Sequence, residues 1–335
     1  MLRRLATTNL DRAARPENDD RMDQRTASAV EWLLHSDEPA IRLMCRRDLL
    51  DDQPTPAEAD QVLTGPKVSA LLSGQHADGS FGVHFYRKWT GAHWRLVSLA
   101  ELGIPALEPR ALAAADSVLA HFGPARRRVT VINGLARRCA SIDGNVLAVC
   151  SRLGLASDPR VQDLASSIIS WQWPDGGWNC DRSATGYRSS FHESLATAWG
   201  LHEYGQATGD KAATEAAGRA AGLFLQHRLF RSARTGEVIN RQWLAPRYPP
   251  YWHYEVLQAL VVLSRMGKVG DERASEGLDE MERARLPDGR WQARGSWWKH
   301  GGGSVTPEIV DWGRDGPNEM ITLNALRVLR AAGRL

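Results

Sequence analysis

Trp171–Gln172–Trp173–Pro174–Asp175–Gly176–Gly177–Trp178 is the stretch that decides the fold, because it reads as the end of a helix followed by a tight turn. Proline fixes φ at the first turn position, and glycine supplies the positive φ that the chain reversal needs. The same phrase recurs at Gln75–His76–Ala77–Asp78–Gly79–Ser80–Phe81 and at Leu286–Pro287–Asp288–Gly289–Arg290–Trp291. Three copies of one motif in a single chain predict a repeat architecture.

Composition limits the classes of protein that the chain can belong to. It has 335 residues, 43% of them hydrophobic, with 13 Trp and a net charge of +3. The length suits one large repeat domain at 23–335 after a polar, mobile leader at 1–22. The small net charge gives no reason to expect nucleic acid or an anionic membrane as a partner, and no apolar run predicts a transmembrane helix. Four cysteines without a signal peptide favour reduced thiols and a cytoplasmic location.

Between the turns, apolar residues recur at helical spacing, which predicts six helix pairs and no strands. The second helix of each pair is the more apolar, as in 256–263, so we expect it to be buried on most sides. The sequence therefore predicts an all-α fold, an α/α barrel with an inner ring of second helices and an outer ring of first helices. The expected pairs are 26–34 with 38–50, 56–73 with 93–102, 109–122 with 145–153, 159–171 with 192–204, 211–227 with 253–266, and 271–284 with 318–332. Each of the last five inner helices is expected to end at a glycine: Gly103, Gly154, Gly205, Gly267 and Gly333.

The loops that lead into the inner helices are long, whereas the loops that leave them are short. The long loops would all lie at one end of the barrel, above the N-termini of the inner helices. Long loops gathered at one end of a closed scaffold usually form a site. We therefore expect the functional site at that end, within the loops 74–92, 123–144, 173–191, 228–252 and 286–317.

The Gln-x-x-Asp-Gly-Ser/Gly-Phe/Trp phrase resembles the Gln-Trp (QW) repeats of squalene–hopene and oxidosqualene cyclases. It also resembles the Asp-Gly-Gly-Phe turns of protein prenyltransferase β-subunits, which share the α/α toroid of the terpenoid cyclase/prenyltransferase superfamily. The resemblance covers residues 55–332 and implies that the Gln and Trp of each repeat tie outer helices to the next turn. It implies packing roles for Trp171, Trp173, Trp178, Trp291 and Trp297.

The chain departs from the catalytic signatures of these families. The Asp-x-Asp-Asp motif, whose middle acid protonates an alkene in class II cyclases, does not occur. The run Asp19–Asp20–Arg21–Met22–Asp23 spells the Asp-Asp-x-x-Asp magnesium motif, but it begins in the leader. The resemblance therefore predicts a non-canonical member of the superfamily, an enzyme that acts on a hydrophobic or prenylated small molecule at the barrel mouth.

Polar side chains stand at the predicted starts of the inner helices. Helix starts favour Asp, Asn and Glu as caps, which accounts for Asn145, Asn318 and Glu319 without any catalytic role. Capping does not explain three histidines at equivalent positions. Protonated histidine is disfavoured near a helix N-terminus, so we expect neutral imidazoles that ligate a metal or act as bases. The candidate catalytic residues are His93, Asp143, His192, Glu193, Glu255 and Glu319.

Two cysteines of neighbouring rim loops, Cys139 and Cys180, suggest a metal site. The helices that follow begin near His192 and His253. Two Cys with one or two His would suit tetrahedral zinc, the only cofactor expected, and unligated side chains are the alternative. The resemblance implies zinc at the same end, because protein prenyltransferases hold it there with Asp, Cys and His, and Phe191–His192 resembles their His phrase.

Aromatic residues near the rim are expected to line a cavity for a prenyl chain, a cation or a sugar. Arg126–Arg127–Arg128 is a candidate for binding a diphosphate. Two other functions stay open: a non-catalytic toroid that binds a ligand or protein, and a carbohydrate-active barrel that pairs Glu193 with Glu255 or Glu319. The candidate substrate-binding residues are Trp89, Trp94, Asn145, Tyr251, Trp252, Trp298 and Asn318.

Overall fold

The computed structural model is that of an all-α protein, as the sequence predicts. It describes residues 23–123, 128–295, 297, 308–313 and 316–335. Within these residues there are thirteen α-helices and one two-stranded sheet. Several predictions concern residues outside the described ranges: the leader 1–22, Arg126, Arg127 and Trp298.

Five helices are buried along most of their length and a sixth has no exposed residue, whereas most of the others have an exposed face. We call α2, α5, α7, α9, α11 and α13 the central helices and the remainder the flanking helices. The bounds are α1 Gln24–Leu34, α2 Pro39–Leu49, α3 Pro56–Gln61, α4 Pro66–Leu72, α5 Ala92–Glu101, α6 Pro109–Leu119, α7 Ala140–Arg152, α8 Pro159–Ser170, α9 Phe191–Thr208, α10 Lys211–Gln226, α11 Val256–Arg265, α12 Ser275–Arg283 and α13 Glu319–Ala331.

A short hairpin corrects the expectation of a fold without strands. Strands β1 (Thr130–Ile132) and β2 (Leu135–Arg137) pair antiparallel inside the predicted loop 123–144. Asn133 and Gly134 connect them with φ of 52° and 76°. Two positive φ angles in an Asn-Gly turn are typical of a type I′ hairpin, so this local signal was present in the sequence.

Two helix starts differ from the predicted ones. Helix α7 begins at residue 140 rather than 145, so Asp143 and Asn145 lie within its first two turns. Helix α11 begins at residue 256 rather than 253, so His253 lies in the segment before it. These shifts change which side chains stand at the helix starts.

Two predicted helix boundaries are also wrong. Helix α9 continues past Gly205 and ends at Gly209, which has the left-handed φ of 75° that a C-terminal cap requires. The predicted helix 56–73 is divided into α3, a 3₁₀ turn and α4. Pro66 explains the division, because proline has no N–H and disfavours helical backbone at Gly65 before it.

The central helices contact one another in the order α2, α13, α11, α9, α7, α5. Their N-terminal ends meet, since His192 at the start of α9 accepts a hydrogen bond from Tyr254 just before α11. Helices α7 and α9 approach most closely through glycine: a Cβ on Gly200 would lie 2.2 Å from the carbonyl oxygen of Gly144. Helices α9 and α11 therefore have their N-terminal ends on the same side, and the C-terminal parts of all six central helices border one common space.

The flanking helices pack on the central ones in chain order. Helix α6 contacts α5 and α7, α8 contacts α7 and α9, α10 contacts α9, and α12 contacts α11. Helix α1 contacts both α2 and α13, so it bridges the first and last central helices. One continuous core of buried side chains results, running from Ala29 to Leu329.

The glutamines of the turn phrases join each turn to a flanking helix further along the chain. Gln172 Nε2 donates to the carbonyl oxygens of Gly176 in the turn (2.7 Å) and of Ala216 on α10 (2.8 Å). Gln75 makes the same pair of bonds at 3.1 and 2.8 Å, to its own turn and to Arg110 on α6. Two distant copies of the phrase thus have the same local geometry.

The third copy, 286–291, packs against the first helix of the domain. Arg285 stands where the other copies have glutamine, and its Nε donates to the carbonyl oxygen of Gly289 at 3.1 Å. Arg25 on α1 donates from Nη2 to the carbonyl oxygen of Leu286 at 3.1 Å. A Cβ on Gly289 would lie only 2.0 Å from the Arg25 carbonyl oxygen, so only glycine fits there.

The tryptophans of the phrases are buried, as the packing interpretation predicts. Trp178 Nε1 donates to the Ile168 carbonyl oxygen on α8 at 2.9 Å, and Trp291 Nε1 to that of Met281 on α12 at 2.8 Å. Each indole joins its turn to the flanking helix that precedes it. Trp171 and Trp173 are buried as well, and Trp297 is partly buried against the core.

Candidate functional site

Three of the candidate residues meet at the N-terminal ends of α7 and α9. The ligand atoms of Cys139, Cys180 and Glu193 all lie within 4.8 Å of one another. The Cys180 thiol donates to Glu193 Oε1 at 3.5 Å. Glu193 Oε2 accepts the backbone N–H of Ser141 at 2.9 Å, which fixes the carboxylate against the start of α7. We call these three residues the Cys-Cys-Glu cluster.

Local backbone geometry explains why these three residues meet. Cys139 immediately precedes α7, and Cys180 follows the second turn phrase. The backbone N–H of Arg138 donates to the carbonyl oxygen of Asn179 at 3.0 Å, which holds the two cysteine segments side by side. Glu193 lies in the first turn of α9, beside α7.

The cluster combines an exposed thiol with a buried carboxyl group. Burial raises the pKa of Glu193. The neighbouring Cys180 thiol lowers the pKa of Cys139, and the Cys139 thiol together with burial raises the pKa of Cys180. Cys139 is exposed and Cys180 is half-buried, so solvent reaches the sulfur atoms. The cluster therefore has its more acidic thiol on the accessible side.

The predicted histidine ligands lie elsewhere. His192 Nδ1 accepts the backbone N–H of Tyr254 at 2.8 Å, and its ring lies 6.1 Å from that of His253. His253 is stacked between Trp252 and Trp297, with centroid distances of 4.0 and 4.4 Å. Among the described residues, the two cysteines are joined by Glu193 rather than by these histidines.

Both histidines are held in the neutral form that the sequence analysis expects. Burial lowers the pKa of His192, and it lowers the pKa of His253 to about 3. His253 lies outside α11, because that helix begins three residues later, and its Nδ1 lies 3.2 Å from the carbonyl oxygen of Pro250. The aromatic stack around His253 accounts for its burial.

Three of the predicted substrate-binding aromatics form one cluster. The rings of Trp89 and Tyr251 stack at 3.9 Å, and the ring of Trp94 stands edge-on to Tyr251 at 5.2 Å. Trp252 packs beside them, and Lys88 Nζ lies 5.3 Å from its ring. These side chains are buried mainly against one another. They form a wall rather than an open groove.

A small cavity of about 60 Å³ lies beneath this wall. It is bordered by α5, α7, α9, α11 and the segment 248–253, and it offers room for a few water molecules. Among the predicted site residues, it brings together Asn145, Tyr251, Trp252 and His253.

The remaining polar candidates have separate surroundings. Asn145 Nδ2 lies 3.4 Å from His93 Nε2, and both side chains are buried. Asn318 caps α13 by accepting the Ile321 backbone N–H at 2.9 Å, as the capping interpretation predicts. Two further residues form ion pairs: Glu319 with Lys67 at 3.3 Å and Asp143 with Arg138 at 2.7 Å.

Glu255 is fully buried, and its carboxyl group has an unusual environment. Oε2 accepts the backbone N–H of Arg247 at 2.8 Å, whereas Oε1 has no hydrogen-bond partner within the described part of the chain. Burial raises the pKa of Glu255 to about 8, so the group holds its proton at neutral pH. Glu193, Glu255 and Glu319 thus have different partners and different degrees of burial.

Sequence reasoning missed a second cavity, of about 760 Å³, at the C-terminal ends of the central helices. The sequence does carry a signal for this cavity: several arginines lie in or just before the last turn of a central helix. Loop lengths did not reveal this signal, because they pointed to the opposite helix ends. The arginines are Arg47, Arg152, Arg265, Arg327 and Arg330.

Comparison with protein-family models gives no match for this chain, and comparison with curated proteins gives none either. None of the described helices combines the length and apolar character needed to cross a bilayer. The functional argument therefore depends on the residues of the sites, because a fold alone does not determine a function.

Proposed function

We propose that the chain forms an α/α toroid and is a non-canonical member of the terpenoid cyclase/prenyltransferase superfamily. The contact order of the six central helices supports a ring. The contact of the third turn phrase with Arg25 on α1 supports its closure. A cavity bordered by residues from all six central helices supports an arrangement around one axis.

Within this fold, we propose a zinc-dependent enzyme whose metal is held by the Cys-Cys-Glu cluster. The observation that carries the proposal is that all three ligand atoms lie within 4.8 Å of one another. Two thiolates and a carboxylate suit zinc, and three protein ligands are typical of catalytic sites that keep the fourth position open. The Ser141 N–H donates to Glu193 and fixes its orientation, as hydrogen bonds to metal-binding side chains commonly do.

The other residues of this end would bind and orient the substrate. Zinc, when bound, would supply Lewis acidity toward a substrate thiol, water or carbonyl group. The aromatic wall formed by Trp89, Trp94 and Tyr251 would exclude water and contact a hydrophobic or prenylated group. Because the cavity beneath measures only about 60 Å³, we propose that such a group enters by displacing the segment 248–253.

Metal analysis of the purified full-length protein tests this function. The protein is prepared under a thiol reductant without a metal-affinity tag, incubated with zinc and dialysed. We expect about one equivalent of bound zinc, as a three-ligand site requires. A content below ~0.2 equivalents of any transition metal per chain would contradict the proposed zinc site, because such a site should hold about one ion.

A second candidate is a non-catalytic toroid that binds a small ligand. The position of the larger cavity favours this second candidate, because that cavity lies away from the Cys-Cys-Glu cluster. Replacement of both cysteines with serine separates the candidates. A metal enzyme loses its metal and its function in the cell, whereas a protein that acts through the distant cavity keeps its function.

A further inference from the structure

The larger cavity has the size and polarity of a small-molecule site. Its volume of about 760 Å³ falls within the range of roughly 300–1,000 Å³ that is usual for ligand pockets. Every central helix contributes its C-terminal part to the wall. The charged groups that border it are five arginines and four acids: Arg47, Arg152, Arg265, Arg327, Arg330, Asp48, Asp51, Glu101 and Glu203.

Most of these arginines are neutralised by short contacts with carboxylates. Arg265 Nη2 lies 3.0 Å from both carboxylate oxygens of Glu101. Arg327 binds Asp48, and Arg330 binds Asp51. These pairs connect the ends of the central helices. Because five arginines and four acids border the cavity, one positive charge is in excess.

Arg152 forms the loosest of the ion pairs that border the cavity, and its side chain is 29% exposed. Its Nη1 lies 3.6 Å from Glu203 Oε1, beyond hydrogen-bond distance, and that oxygen already accepts the indole N–H of Trp199 at 2.7 Å. Among the described residues, the Arg152 side chain donates no hydrogen bond. A guanidinium group has five N–H donors, so Arg152 presents unused donors to the cavity.

Two unpaired donors lie behind the wall of the same space. Asn324 on α13 is fully buried, and its Nδ2 has no hydrogen-bond partner among the residues that the structure describes. Arg327 binds Asp48 through Nη2, but its Nε likewise has no hydrogen-bond partner among these residues. Buried donors without acceptors are rare in folded proteins, and each calls for a partner that the chain itself does not supply.

The charges around the cavity also favour an anion. Burial lowers the pKa of Arg152 and of Arg327, and in each case the nearby Arg265 and Arg47 lower it further. Glu203 and Glu101 raise the pKa of Arg152, and Asp48 raises that of Arg327, so the positive potential comes from the one arginine in excess over the acids. An oxyanion has only acceptor oxygens, which match the donor-only surface of arginine.

We propose that this cavity binds a small organic anion through a phosphate or carboxylate group. Arg152 binds the anionic group, and the other arginines of the wall add positive potential around it. The exposed Asp51–Arg330 pair lies at the entrance, with side chains 77% and 38% exposed. The Glu101–Arg265 pair borders both cavities and closes the inner end, so this site is independent of the Cys-Cys-Glu cluster.

Calorimetric titration of the full chain at low ionic strength tests the proposal. The probes are inorganic phosphate, pyrophosphate and citrate, which distinguish a phosphate from a carboxylate ligand. We expect one site per chain for at least one probe, and Arg152→Gln should weaken binding about tenfold or more, the usual effect of a charge-assisted hydrogen bond. The matched control is Arg160→Gln on α8, whose partners are the exposed Asp116 and its neighbour Asp158.

A second variant keeps the test decisive if Arg152→Gln disturbs folding. Asn324→Asp is nearly isosteric and places a negative charge against Arg327 in the wall, which lowers the positive potential of the cavity, so it should also weaken anion binding. The double Cys139→Ser/Cys180→Ser variant should bind the probes as the wild type does, which separates this site from the proposed zinc site. A wild-type protein that binds none of the three probes, or variants that bind them unchanged, would show a cavity filled only by water and overturn the proposal.

Discussion

Arg265 at the end of α11 and Glu101 at the end of α5 form a two-fold hydrogen-bonded ion pair, with both N–O distances at 3.0 Å. The two helices are not neighbours in the contact order of the central helices, so the pair spans the interior. Both residues border the small and the large cavity. The pair is therefore a partition between two chemically different spaces.

Breaking this partition should destabilise the protein. Glu101→Gln removes the hydrogen-bonded counter-charge of Arg265 and leaves only the more distant Glu203, which we expect to cost up to about 3–5 kcal/mol in free energy of unfolding, measured with urea. The double variant Glu101→Leu with Arg265→Met should recover most of that loss, because apolar side chains of similar volume replace the pair. A cost below about 1 kcal/mol for Glu101→Gln would mean that solvent screens the pair.

The third turn phrase gives a prediction about Gly289. Gly289→Ala places a methyl group 2.0 Å from the Arg25 carbonyl oxygen, so the turn and α1 must separate. Gly209→Ala is the matched control, because Gly209 also has positive φ but no atom within 4 Å of its Cβ position. The control should cost only the left-handed backbone penalty of about 1–2 kcal/mol. Equal losses in chemical denaturation would contradict the close packing.

Glu255 should make stability depend on pH. Its pKa is raised by burial from 4.5 to about 8, so the protonated form stabilises the fold. That contribution is complete below about pH 4.5 and is lost as the pH rises through about 8. The wild type should therefore lose stability between about pH 5 and about pH 8.5, whereas Glu255→Gln should show a flatter profile in urea denaturation. Parallel profiles would show that other groups titrate instead.

Zinc should raise thermal stability if the Cys-Cys-Glu cluster binds it. A ligand that binds only the folded state adds about 2.7 kcal/mol at one hundred times its Kd, so treatment with a chelator should lower Tm. Cys180→Ser should remove this response. Cys150→Ala is the control, because Cys150 lies eleven positions beyond Cys139 on α7, roughly 16 Å along the helix. A chelator effect that persists in Cys180→Ser would place the metal elsewhere.

Features encoded locally could be read from the sequence. Apolar spacing predicted the helices, and the turn phrases predicted glycines with positive φ, which Gly79, Gly176 and Gly289 have. The ends of α9 and α7 were less predictable, because tertiary contacts decide how far a helix continues past Gly205 or before Asn145. The hairpin at Asn133–Gly134 was predictable from its turn chemistry alone.

The site was only partly predictable. Cys139 and Cys180 were correctly placed together, since they precede neighbouring central helices. That Glu193, rather than His192, turns toward them depends on side-chain direction within one helical turn, which spacing does not determine. The arginine-lined cavity depends on six helix ends converging, and no segment of the sequence contains that information.

The contact between the third turn phrase and α1 also bears on synthesis. At about 5–20 residues per second, a ribosome needs about 13–52 s to add the 261 residues that separate Arg25 from Leu286. During that interval α1 has been made, yet the turn that covers it has not. For that interval α1 has only its contact with α2 from the elements already made, and the surface that the third turn phrase covers stays exposed.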